Sequence, residues 1–189
     1  MPMRSLLLLS AVVVISSLSP PVQGAEKEIR HRFSTTGNRY VFTGSFPVNA
    51  DRKCLMDMLY EPDQLRRYAR HADAVELVGK GDRWQTITYD YRKMFYHAKS
   101  TFKRELNREK NRIDYRLTSI DQGGLVSPDI QSISGYYGVS AENGGHRVTF
   151  HQEGVIGSGM LSGFYFYKAE KEAVGFVQNM RDYALKHCE

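Results

Sequence analysis

The residues best equipped for chemistry in this chain are dispersed. The 6 histidines are His31, His71, His97, His146, His151 and His187. None stands at a metal-ligand spacing such as H-x-x-x-H, so no metal site is expected. Gln152 and Glu153 beside His151 complete no recognised triad. There is no phosphate loop, no dinucleotide-binding glycine fingerprint and no nucleophile elbow. These motifs therefore nominate no catalytic residue and no cofactor. What recurs instead is aromatic. Tyr89, Tyr91, Phe102, Tyr115, Tyr137 and Phe150 fall on same-side positions of alternating segments. Such a wall, apolar with a few phenol hydroxyls as handles, is what small-molecule sites use. It also suits an ordinary filled core. Arg104 and Asp90 are charges that would orient a polar head group if they pointed inward, and a buried unpaired one would be costly. Met160, Leu161, Phe164 and Tyr167 lie beside two glycines and could gate the mouth of an apolar space.

The elements that must position these residues are legible as periodicities. Arg39–Val48 alternates as a strand, with Tyr40, Phe42, Phe46 and Val48 on one face. Pro47 cannot donate to a ladder, so the strand is at an edge or ends there. Asn49 or Asp51 caps a helix containing Cys54, Leu55, Met58 and Leu59. Pro62 interrupts it, and a second short helix follows over Asp63–Tyr68. Strand-like segments then succeed one another: Val75–Val78, Trp84–Arg92, Ala98–Leu106, Ile113–Ile120, Ile130–Ser140 and Val148–Ile156. Short glycine-rich turns between them favour an antiparallel meander. Last comes an amphipathic helix over Ser162–His187, with Ala169, Ala173, Val177, Met180 and Ala184 along its inner stripe.

The bulk properties exclude several function classes. Hydrophobic content of 41% and aromatic content of 12% are those of a folded chain. The formal charge of +5 allows transient contact with an anionic membrane surface. The basic residues are interleaved with acids, as in Lys103-Arg104-Glu105, so nucleic acid is not an expected partner. The first residues read as a secretory signal. Arg4 precedes an apolar run, and Val22-Gln23-Gly24 places small residues before a cleavage point after Gly24. This predicts a signal peptide over 1–24, a flexible polar arm over 25–38 and one domain over 39–189. The protein is expected to be exported, to the periplasm.

The order strand, two short helices, six strands and a long helix resembles the helix-grip START/polyketide cyclase-like (SRPBCC) superfamily, near its coenzyme Q-binding and polyketide cyclase members. Three stretches carry the resemblance. They are Ser45-Phe46-Pro47-Val48-Asn49-Ala50 with the following helix, Gly135-Tyr136-Tyr137-Gly138-Val139 with Gly144-Gly145-His146-Arg147-Val148-Thr149-Phe150, and the aromatic run from Phe164 onward. The resemblance implies an α+β fold in which a curved antiparallel sheet of about seven strands grips the C-terminal helix around a closed hydrophobic cavity. It implies a carrier of a lipid, quinone or polyketide-like molecule. The alternatives are a cyclase or aromatase, for which the sequence shows no acid/base pair, and an envelope interaction protein with a filled core. In such folds the short helices support the end of the long one. That arrangement, with export, implies a disulfide between Cys54 and Cys188.

Overall fold

In the computed structural model, residues 28–93, 96–124, 127–159 and 161–189 are described. The expected signal peptide, residues 25–27 of the arm, and Met160 lie outside them. Among the described residues, no helix is long and apolar enough to cross a membrane.

Eight strands form one antiparallel sheet in the order β1-β2-β8-β7-β6-β5-β4-β3. They are β1 (Arg30–Thr36), β2 (Arg39–Val48), β3 (Ala74–Lys80), β4 (Trp84–Lys93), β5 (Tyr96–Asn107), β6 (Arg112–Gly123), β7 (Ile130–Glu142) and β8 (Gly145–Ile156). The helices are α1 (Arg52–Tyr60), α2 (Pro62–Tyr68) and α3 (Ser162–His187). The sheet is curved and open, and α3 packs against β1, β2 and β8. This is an α+β helix-grip architecture, with one strand more than expected.

The additional strand corrects the expectation of a flexible arm over 25–38. Residues 30–36 pair with β2 from Arg30↔Ser45 to Thr36↔Arg39. Gly37-Asn38 closes the hairpin, and the positive φ of Gly37 is that of the first central position of a type II′ turn. Only Phe33 in β1 is partly buried, stacked on Tyr40 at 5.8 Å between ring centroids. A strand held by its backbone ladder and exposed on both faces leaves almost no trace in the hydrophobic pattern. Pairing with β1 stops at Ser45, so Pro47 sits where its missing donor costs nothing on that side.

Local chemistry sets the helices. The Asp51 carboxylate caps α1 by accepting from the Cys54 amide at 3.1 Å. Leu55, Met58 and Leu59 face inward. Glu61 is extended before Pro62, which opens α2 in the first turn, where a missing N–H is harmless. In β6, Thr118 falls out of register with β5, and its hydroxyl donates to the Thr101 carbonyl at 3.0 Å. This bulge bends the sheet in the middle of the β5–β6 pairing.

The 26-residue α3 divides into two halves with different surroundings. Its C-terminal half buries Val177, Met180, Tyr183 and Ala184 in a solid core with Phe42, Phe46, Leu55, Leu59, Tyr68 and Val148. Tyr183 hydrogen-bonds the Gln64 side chain of α2. Cys54 and Cys188 are joined by a disulfide with a Cα separation of 5.8 Å, which clamps this end of α3 to α1. The N-terminal half, by contrast, roofs an open space.

Candidate functional site

Between the inner sheet face and the first half of α3 lies a cavity of about 660 Å³. That volume is within the range of small-molecule sites. Tyr89, Tyr91, Phe102, Tyr115, Tyr137 and Phe150 are all on its wall, with Phe164 at its edge. Their rings form a continuous chain of contacts. Tyr89 meets Phe102 at 5.7 Å, Phe102 meets Tyr115 at 6.0 Å, Tyr115 meets Tyr137 at 4.9 Å and Tyr137 meets Phe150 at 5.3 Å. Phe176 closes the chain from the helix side, 5.2 Å from Phe150. Ala169 and Ala173 leave the space beneath α3 unfilled.

The cavity is open at one end, where the sequence led us to expect closure. Phe164, Lys168, Glu172 and His71 line it and are themselves substantially exposed. The Glu172 carboxylate lies 3.2 Å from His71 Nδ1 across this mouth. Tyr167 is not on the wall; it is 58% exposed on the outside of α3. Leu161 is likewise exposed at the start of the helix. Asp90 is also elsewhere. Its neighbours Tyr89 and Tyr91 point inward, so the strand's alternation turns Asp90 out, where Arg92 pairs with it at 2.9 Å and holds its carboxyl below the usual range.

Two polar sets interrupt the apolar wall. Gln152 donates to the Tyr40 hydroxyl at 2.7 Å, and Tyr115 donates to the His151 carbonyl at 3.0 Å and to Gln152 Oε1 at 3.3 Å. Gly154 and Gly135 make this set possible. A Cβ at Gly154 would run into the Tyr40 ring, and one at Gly135 into the Tyr115 hydroxyl and the His151 carbonyl. Arg104 forms the second set at the deep end, beneath α1. It is 1% exposed and donates to the carbonyls of Leu59 and Tyr60. Gln85 donates to the same Tyr60 carbonyl at 2.8 Å. The Arg104 guanidinium lies 5.6 Å from the centroid of the Tyr137 ring, a cation–π distance.

The sequence reading had not singled out Tyr40, Gln152, His71 or Glu172 as wall residues. Gln152 had a signal: it is the polar member of the inward row Val148, Phe150, Gln152. His71 sits in the loop after α2, where no periodicity applies. Among the described residues no group of His, Cys, Asp or Glu is arranged to hold a metal ion.

Burial controls the ionisation of the wall. It pushes the Tyr40 phenol up to about 12, partly offset by the Gln152 hydrogen bond. It raises Tyr115 and Tyr137 well above the ordinary phenol, and raises Tyr89 against the opposing pull of Arg104. A phenol in the unfolded chain titrates near ~10. Below that pH both states are neutral. Above it the unfolded chain releases protons that the folded one keeps, so stability falls as pH rises. For Tyr40 alone the loss is on the order of 2 kcal/mol by the time its folded value is reached. We therefore expect alkaline unfolding above pH ~10, with phenolate absorbance and loss of ellipticity rising together. Wall phenols that titrate near their free value in an intact fold would contradict the described burial.

No protein-family model and no curated protein sequence matches the chain. Solved structures do share its architecture. A STAR-related lipid transfer protein from Xanthomonas axonopodis superimposes with a TM-score of 0.64 at 15% identity, over 85% of this chain and 94% of that one. The Zhui aromatase/cyclase from Streptomyces sp. R1128 does so with a TM-score of 0.57 at 15% identity, over 83% and 94%. Ara h 8.0201 gives 0.60 at 13% identity, over 78% and 99%. Identities this low show a common fold, and the chain has the helix-grip fold of START and polyketide cyclase-like proteins.

Proposed function

We propose that this protein is an exported carrier of a hydrophobic small molecule, a lipid, quinone or polyketide-like compound, held between the sheet and α3. The observation that carries this reading is the aromatic-walled cavity of about 660 Å³ with one open end. Burying apolar ligand surface there yields roughly 25 cal/mol per Å² before the costs of association. Its structural neighbours include a lipid transfer protein and an aromatase/cyclase, which agrees with an apolar ligand. The leader-like start of the sequence and the Cys54–Cys188 bridge support export. Exposed Leu161, Phe164 and Tyr167 beside Lys168 at the mouth support loading during transient contact with an anionic membrane surface.

The phenols of the aromatic wall offer no general base for the cyclase reading, whose candidate acid/base pair is His71 and Glu172 at the mouth. The wall phenols Tyr89, Tyr115 and Tyr137 are all shifted up by burial, which makes them poor bases at neutral pH. Titration with the neutral dye Nile red, followed by displacement with extracted membrane lipids, tests the reading. One dye site per chain, emptied by lipid, is expected. Absence of any saturable site would overturn it.

A further inference from the structure

The charge of Arg104 meets no anion. Its side chain belongs to the cavity wall and is buried. Arginine keeps its charge in protein interiors. Nη2 donates to the Leu59 carbonyl. Nη1 reaches the Tyr60 carbonyl at 3.3 Å and Gln85 Oε1 at 3.5 Å. Nε is buried and has no hydrogen-bond partner. Every acceptor is therefore neutral, and among the described residues no carboxylate pairs with this guanidinium. The surrounding phenols do not supply the missing charge, because burial keeps Tyr89 and Tyr137 protonated. The carboxylate on the cavity wall, Glu172, stands at the mouth, 58% exposed and engaged with His71.

The two carbonyls under Arg104 belong to the last turn of α1. A helix C-terminus offers about half a unit of negative charge. That answers part of a buried cation, and a cation left partly unanswered in an apolar wall is costly. An anionic oxygen group entering the cavity would complete the balance and give Nε an acceptor.

We infer that the molecule held here is an amphiphile with a single carboxylate head, lodged against Arg104, its apolar body running along the aromatic wall toward Phe164. This inference rests on the proposed binding function and narrows its ligand class from apolar molecules in general to long-chain monocarboxylates.

The test compares hexadecanoic acid, its methyl ester and hexadecanol, which share a tail and differ in the head. Each is titrated into the wild-type protein at neutral pH against bound Nile red. The acid should bind roughly 10- to 100-fold more tightly than the ester or the alcohol, as a charge-assisted hydrogen bond implies. Arg104→Gln should abolish the preference for the acid over the ester, while Arg104→Lys should retain most of it. Arg104 also holds the end of α1, so Arg104→Gln can fail to fold. The wild-type comparison decides the matter without it. Acid, ester and alcohol within about twofold of one another would overturn the inference and leave the carrier reading standing. So would an acid preference that persists in a folded Arg104→Gln protein. If none of the three displaces a bound dye, this inference falls alone. If the dye itself finds no site, both readings fall.

Discussion

Opening the Cys54–Cys188 bridge is expected to lower stability by about 4–5 kcal/mol, less any strain the bond carries in the folded state. The expectation comes from the size of the loop. The two cysteines are 134 positions apart, so the bond restrains nearly the whole domain in the unfolded state. For a chain of this size the loss corresponds to a fall in midpoint of about 10–20 °C. The Cys54→Ser/Cys188→Ser variant should show it, and reductant should lower the wild-type midpoint by the same amount without moving the variant's. The structure also localises the consequence. Cys188 follows α3 directly, and the adjoining turns carry Tyr183 and Ala184 into the core. Amide exchange should therefore accelerate first in the last turns of α3 and in the capped start of α1. Two free thiols in the denatured, unreduced protein would contradict the bridge.

Filling the cavity should have the opposite signature, with little effect on folding and a large effect on ligand retention. Ala169 is a partly exposed residue on the roof of the cavity. Ala169→Phe places a ring where the bound molecule is proposed to lie. Retention of Nile red should fall at least about tenfold, the equivalent of ~1.4 kcal/mol of lost contact. Stability should change by less than about 1 kcal/mol, because the new side chain enters empty space and displaces no packed neighbour. Unchanged retention in a folded Ala169→Phe protein would place the apolar molecule somewhere other than beneath α3.

Much of the fold was legible because most elements bury one face. Tyr40, Phe42, Phe46 and Val48 announce β2 at a period of two. Ala173, Val177, Met180 and Ala184 announce α3 at the helical period. The failure at β1 has the same root, since a strand exposed on both faces shows no alternation. Its one local signal was Gly37-Asn38, a two-residue hairpin turn. The aromatic wall was readable in the same way as the core, from strand parity, and parity also turned Asp90 outward. Parity could not say whether the rings meet in the middle or leave a space. That depends on how far the Thr118 bulge bends the sheet and on the small side chains of Ala169 and Ala173 above it. Tyr167 shows the corresponding weakness on the helix. It lies only three positions from Phe164, yet Phe164 edges the cavity and Tyr167 faces outward. Arg104 was visible as an inward position. Its lack of a carboxylate partner was not, because pairing depends on which strands and helices surround it.

The space beneath α3 is proposed to house one apolar molecule. The most direct measurement is a native mass spectrum of the protein purified without detergent, alongside the spectrum of the Ala169→Phe variant. The expected spectrum shows a population carrying a single small molecule, removed by organic extraction and absent from the variant. A bare protein mass for both, with no saturable uptake of Nile red afterwards, would contradict it.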